Sequence, residues 1–268
     1  MIFNTGEASE ELKAKYNPEG SILRKAQLRM LEMLVWLDKL CKEQGIEYCL
    51  EGGNVLGAIR HNGFIPWDDD VDIIMRRGEY KKLCDYLLKH PHPQFKLQSH
   101  KTDKGYFGSW NVLRDTKSEY IKDDPIHNLR IFRGLQIDIF PIEIGYSRII
   151  SKIAGNIHHW NNKYFVAKHN VIAHYYYLVE QKICFPVLRA ICSLIGDKRY
   201  FTYELGHGHY PKFPVASTFP VSSIQFEGFT LLGPNNTSDY LTALFGNYMI
   251  LPPPDKRNKH QANYRIWD

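Results

Sequence analysis

Apolar residues recur at Ala26, Met30, Leu34, Leu37 and Cys41, a stripe at helical spacing that predicts an amphipathic helix over Ile22–Gln44. Ser21 supplies an N-cap hydroxyl before it, and Gly45 fits a left-handed C-cap after it. The period then shortens. Residues 46–50 read as a short strand ending at Gly52-Gly53, and residues 54–61 as a helix opening directly after those glycines. Residues 70–75 read as a buried strand, because Val71, Ile73, Ile74 and Met75 leave no solvated face. Tyr80, Leu83, Cys84, Leu87 and Leu88 predict a helix over 79–90, stopped by Pro91 and Pro93.

Further along, Phe95–Gln98, 108–114 and 119–121 read as strands. Residues 129–139 read as a hairpin or one long bent strand with Gly134 at the bend. From Tyr146 to about Phe201 the pattern turns helical and aromatic, and Pro186 is expected to kink or divide the last helix. Residues 223–232 look strand-like, Asn235-Asn236-Thr237-Ser238 offers a cap for a helix over 239–245, and the tail from Pro252 is extended and basic. The expected organisation is a flexible leader (1–17), a core (18–145), a helical insertion (146–205) and a C-terminal extension (206–268) packing back on the core.

Composition narrows the class. A 44% hydrophobic content with 13% aromatic residues over 268 positions supports a packed core. A net charge of +5 suits anionic substrates or peripheral contact with an acidic membrane surface, and is too small for a nucleic-acid footprint. The five cysteines form no CxxC pair and fall mostly at apolar positions, as reduced core thiols of a cytoplasmic protein would. The first residues lack the basic start and apolar run of a secretory signal. The most apolar stretch, 178–195, is broken by Glu180, Gln181, Lys182 and Arg189, which argues against a membrane span.

The chemistry concentrates at Trp67-Asp68-Asp69-Asp70-Val71-Asp72. In a strand Asp70 and Asp72 point to the same side, about 7 Å apart. Two such carboxylates repel unless a cation lies between them, and hard oxygen donors favour Mg²⁺ or Mn²⁺. Charge runs are more often solvated loops, but this one is wedged between Trp67 and an apolar strand. A calcium-loop reading of Asp68, Asp70, Asp72 and Glu79 fails because Ile73 stands where that loop needs glycine. Asp138, alone in the apolar run Leu135–Phe140, is costly to bury unless paired or bound to metal. A structural cap or a salt bridge to an arginine would also explain it; a carboxylate pair in need of a third oxygen favours the metal. Gly52-Gly53 at a strand end, followed by a helix N-terminus, is a candidate phosphate cradle. His158-His159 and His207-Gly208-His209 lack zinc-like spacing.

Together these residues resemble a family. GGNVLGAIRHNGFIPWDDDVDI, Ile137-Asp138-Ile139-Phe140-Pro141, Phe226-Glu227-Gly228 and Leu251-Pro252-Pro253 occur in the order seen in the LicD family, related to fukutin and fukutin-related protein. The stretch 146–205 carries little of the likeness, and Asn54 stands where the family usually has Thr or Ser. The resemblance implies an α+β fold: a nucleotidyltransferase-like mixed β-sheet core flanked by helices, with a helical insertion. It implies Mg²⁺-dependent transfer of a phospho-alcohol, foremost phosphocholine from CDP-choline, to a sugar hydroxyl of a surface glycan, a lipid-linked one included, at the inner membrane face. Asp70, Asp72 and Asp138 would then bind metal, with Asp138 the candidate base. Gly52, Gly53 and Asn54 would face the donor phosphates, Arg60 and His61 would offset charge on the leaving group, and Trp67 and Asp68 would contact substrate or seat the loop. Transfer of a nucleoside monophosphate to a small molecule, and glycan binding by a degenerate site, are the alternatives.

Overall fold

The computed structural model describes residues 7–122, 124–168, 171–257 and 263–267. Residues 8–17, expected within a flexible leader, contain helix α1 (Ser9–Tyr16), whose Leu12 is buried against Leu251 and Trp67. Leu12 finds an apolar partner far along the chain, which periodicity near it cannot reveal. Helix α2 (Ile22–Gln44) forms as its stripe predicts. Ser21 Oγ accepts from the Arg24 amide at 3.1 Å, and Gly45 ends the helix at φ 61°. Its buried Met30, Met33, Leu34 and Leu37 lie in the main core, where each contributes about 1.5–3 kcal/mol by burial.

Strand β1 (Cys49–Leu50) is short because helix α3 (Gly52–His61) begins at the glycine pair rather than after it. Strand β2 (Asp72–Arg76) starts at the second aspartate of the pair, and helix α4 (Arg77–Lys89) follows without a loop. Strands β3 (Phe95–Gln98), β4 (Asn111–Asp115) and β5 (Ser118–Ile121) lead to a short helix α5 (Pro125–Asn128). The hairpin or bent strand expected over 129–139 does not form. The Ile131 amide donates to Asp103 Oδ2 at 2.8 Å instead of to a neighbouring strand. Gly134 is pressed so close to Asp115 that a Cβ there would lie 1.8 Å from its carbonyl oxygen. Strand β6 (Gln136–Tyr146) begins only after this constriction.

Helices α6 (Arg148–Tyr164), α7 (Ile172–Val179) and α8 (Phe185–Ile195) follow, with a π turn over Glu180–Cys184 joining the last two. Pro186 lies in the first turn of α8, where its missing N–H is tolerated. The insertion ends sooner than expected, because β7 (Asp197–Tyr203) returns to the sheet. The main sheet runs β1-β2-β6-β4-β3, and β2 lies parallel to β6. The long β6 serves β4 along its first half and β7 along its second, and β7 carries β8 (Phe213–Pro214).

In the C-terminal part, α9 (Val215–Thr218) precedes a hairpin of β9 (Ser222–Phe226) and β10 (Phe229–Gly233), where one strand was expected. Glu227 and Gly228 turn it at φ 50° and 82°. Asn236 caps α10 (Thr237–Phe245), and β11 (Asn263–Ile266) pairs antiparallel with β5. The mixed sheet flanked by helices is the α+β architecture expected.

Glu227 fastens this hairpin to the core: its carboxylate accepts from Arg24 Nη2 at 2.8 Å and from the Phe64 amide at 3.1 Å. Glu227→Ala leaves both donors without an acceptor. It is expected to cost about 2–4 kcal/mol, read as a lower urea midpoint, whereas Gln225→Ala on the exposed side leaves the midpoint unchanged.

Candidate active site

The site is built by strand pairing. The parallel register of β2 with β6 sets Asp72 opposite Asp138, so the two carboxylates share a face. The Asp138 amide donates to the Val71 carbonyl at 2.9 Å, which locks the register at that level. Asn54, on the first turn of α3, holds the intervening loop: its Nδ2 donates to the Asp70 carbonyl at 3.2 Å and its Oδ1 accepts from the Asp72 amide at 2.7 Å. Expected to face a donor phosphate, Asn54 is instead committed to positioning both aspartates.

The glycine pair is similarly engaged. The Gly52 amide donates to the Tyr240 hydroxyl at 3.2 Å, so it is not free to cradle a phosphate. A Cβ on Gly53 would lie 2.9 Å from Asp68 Oδ2, so glycine there makes room for the Asp68 carboxylate. Arg60 and His61 are buried, with the Arg60 guanidinium within electrostatic reach of Asp68. Arg60 Nη1 donates to the Tyr248 carbonyl at 3.1 Å, and His61 Nδ1 lies 3.0 Å from Ser9 Oγ. Burial pushes the His61 imidazole down to about 3, keeping it neutral and unsuited to balancing charge on a leaving group. Trp67 packs edge-on to Tyr16 at 5.2 Å under the Arg257 guanidinium, a seat for the loop.

The remaining carboxylates crowd together. Burial and the charges of Asp70 and Asp138 raise Asp72 well above the usual carboxylate range; burial and Asp70 do the same to Asp68. Burial pushes Glu51 up to about 7, despite hydrogen bonds from Tyr203 and Tyr240. Burial also raises Asp138, opposed by the Trp110 indole and the Arg114 charge. Trp110 Nε1 donates to Asp138 Oδ1 at 2.6 Å, and Gln136 donates to its other oxygen. Each oxygen keeps a further lone pair.

Asp70 and Asp138 line a cavity of 240 Å³ together with Arg114, Arg130, Lys122 and His127. Asp69, accepting from the Tyr264 hydroxyl, and Tyr264 of β11 close it. A second cavity of 400 Å³ shares Arg114, Arg130, Gln136 and Asp138, and continues to Trp110 and α6. Arg114 is fixed by Gln98 Oε1 and the Gly134 carbonyl, both at 2.8 Å. The buried Arg130 Nε has no hydrogen-bond partner among the described residues. A cavity lined by both carboxylates and guanidinium groups can receive an anion on its cationic residues.

All-oxygen donors under mutual repulsion have the chemistry that a hard divalent cation neutralises. Among the described residues no three His, Cys, Asp or Glu side chains are already drawn into a metal-holding group. Asp70, Asp72 and Asp138 therefore do not meet as a ready-made three-carboxylate site in this arrangement of side chains. Sequence reasoning missed Arg114, Arg130, Lys122, Trp110, Gln136, Glu51 and Tyr264. Arg114 had a signal of the kind that exposed Asp138, a charge inside an apolar strand. Tyr264, 195 positions from its partner Asp69, had none.

A family model described as LicD/FKTN/FKRP, nucleotidyltransferase domain, matches residues 45–192. The chain is 28% identical over 257 residues to the lipopolysaccharide cholinephosphotransferase LicD of Haemophilus influenzae, covering 89% of this chain and 95% of that protein. It is 32% identical over 109 residues to the uncharacterised protein RP689 of Rickettsia prowazekii, covering 40% of this chain and 36% of that one. A short segment of 29 residues is 62% identical to the human ribitol 5-phosphate transferase FKRP, covering 11% of this chain and 6% of that protein.

Two outcomes follow from this geometry. Asn54→Ala frees the Asp70 carbonyl and the Asp72 amide and is expected to cost about 1–3 kcal/mol in thermal or urea unfolding. Asn54→Asp does at least as much damage, by losing the Nδ2 donor and adding a sixth carboxylate to Glu51, Asp68, Asp70, Asp72 and Asp138. The second concerns pH. Glu51 is raised from 4.5 to about 7 in the folded state, so its contribution is complete below pH 4.5 and is lost as pH rises through about 7. Without divalent cations, Glu51→Gln is therefore expected to raise stability by about 1–3 kcal/mol at pH 8, a gain that shrinks as pH falls toward 5.

Proposed function

The chain belongs to the LicD/FKTN/FKRP nucleotidyltransferase family, and on that footing we propose that it transfers a phospho-alcohol from a nucleoside-diphosphate donor to a glycan hydroxyl. The finer reading is phosphocholine from CDP-choline to a lipopolysaccharide sugar, supported by the relative of that name that aligns along most of the chain. The observation carrying the reading is the Asp72–Asp138 register beside a cavity walled by Arg114 and Arg130.

Asp70, Asp72 and Asp138 would hold Mg²⁺ or Mn²⁺, which when bound supplies charge neutralisation and a fixed anchor for the diphosphate. Arg114, Arg130 and Lys122 receive non-bridging phosphate oxygens. The acceptor hydroxyl enters from the larger cavity, where Asp138 is shared. Its oxygen attacks the phosphorus that carries the alcohol while its proton passes to an Asp138 oxygen. The phosphoanhydride bond breaks, and its electron pair leaves on the bridging oxygen of CMP. The Trp110 and Gln136 donors hold Asp138 in one orientation throughout.

Incubation with CDP-choline, Mg²⁺ and lipopolysaccharide is expected to release CMP and add the mass of phosphocholine to the glycan. Asp72→Asn abolishes both, and Arg130→Ala lowers kcat/KM roughly 100-fold or more. Release of pyrophosphate from CTP, with no turnover of any CDP-alcohol, would replace this reading with nucleotidyl transfer to a small acceptor.

A further inference from the structure

Residues 172–195 run as one helical rod through α7, the π turn and α8. Its inner side, with Ala173, Tyr177, Glu180, Phe185 and Cys192, is buried. The outer side of such a helix is ordinarily polar. Here Tyr175, Val179, Ile183, Val187, Ile191 and Ile195 are exposed at four-residue steps, and Leu194 beside them is 81% exposed. Steps of four drift around an α-helix of 3.6 residues per turn. The π turn, closing i→i+5 bonds, underwinds the rod and offsets part of that drift.

Helix α6 repeats the pattern. Ile150, Ala154, His158 and Asn161 are buried, while Ile149, Ile153, Trp160 and Tyr164 are exposed. The Trp160 and Tyr164 rings lie 5.3 Å apart, and the ammonium groups of Lys163 and Lys168 stand 5.2 and 6.0 Å from the Tyr164 centroid. Aromatic rings beside lysines are the composition of a membrane–water interface. The charge is one-sided. Residues 148–198 hold seven Lys and Arg against two acidic residues. Of those two, Glu180 is buried against His158 and Asp197 is paired with Arg199, while among the cations Arg189 is paired with Glu143. No helix among the described residues is long and apolar enough to cross a membrane.

We propose that α6, α7 and α8 seat this protein on an anionic lipid bilayer, lying in the headgroup plane with their exposed apolar rows inserted and their lysines on acidic headgroups. Apolar exposure on this scale calls for a cover. The excess of positive charge selects an acidic surface over a second copy of the same face, which would repel it. The same α6 contributes Gly155, His158 and His159 to the cavity shared by Asp138. Docking therefore brings that cavity close to the headgroups. The corollary, that the acceptor is lipid-linked, rests on the proposed function; the docking does not.

The test is co-sedimentation with phosphatidylglycerol-containing vesicles and with pure phosphatidylcholine vesicles, for the intact chain and for Ile183→Glu/Val187→Glu/Leu194→Glu. The intact chain is expected to partition at least tenfold more strongly to the anionic vesicles, with binding falling as salt rises. The triple variant is expected to lose at least tenfold of that binding while keeping its circular-dichroism spectrum. If it unfolds, Leu194→Ser/Ile195→Ser replaces it, with a loss in the same direction. CMP release with a soluble acceptor is unchanged by either variant, which separates failure of docking from failure of the activity. The proposal is overturned by absence of binding to anionic vesicles, by binding that the exposed-row variants do not reduce, or by a dimer that those variants dissociate while vesicles are ignored.

Discussion

The parallel pairing of β2 with β6 sets Asp72 beside Asp138 whatever the two side chains prefer. Backbone hydrogen bonds and the burial of Ile73, Ile74, Ile137 and Ile139 hold the strands, and the carboxylates are carried along at a cost. Asn54 adds Asp70 to the cluster by gripping the backbone on both sides of Val71, and Gly53 leaves room for Asp68. Burial first, and then repulsion among these groups, raises the proton affinity of Asp68 and Asp72. A fold that spends hydrophobic stability to assemble like charges creates a place where a cation, or protons, must be welcome.

The same cavity also carries Arg114 and Arg130. Arg114 is rigid, held by Gln98 and the Gly134 carbonyl, whereas Arg130 lies over the Tyr106 ring with its Nε unpartnered among the described residues. One is preorganised and the other keeps a donor to give. Burial pulls the Arg114 guanidinium down to about 10, still protonated at neutral pH. Strand β11, paired with β5, brings Tyr264 to Asp69 and so adds a residue to the lining of this cavity.

Much of this was legible in the sequence where local pattern and chemistry agree. The α2 stripe with its caps, the Asp70-x-Asp72 strand entry and the lone Asp138 are each recognisable without the fold, because charge in an apolar run needs a reason. The roles of Gly52, Asn54, Arg60 and His61 were harder to read. Their partners, among them Tyr240, Tyr248, Ile250 and Ser9, lie up to 190 positions away, and only the fold shows that their polar groups are engaged. The irregular path through 129–135 was missed for a related reason. Asp103 and the carbonyl of Asp115 dictate it from outside the segment. The apolar outer row of 172–195 was visible as composition, but its direction required knowing which side the core occupies.

The central claim is that Asp70, Asp72 and Asp138 enclose a divalent cation once one is available. Anomalous diffraction from crystals grown with Mn²⁺ tests it most directly. The account predicts a strong anomalous peak within about 2.0–2.4 Å of oxygens from all three residues. A peak elsewhere, or none at saturating Mn²⁺ with the three carboxylates ordered and apart, would contradict it.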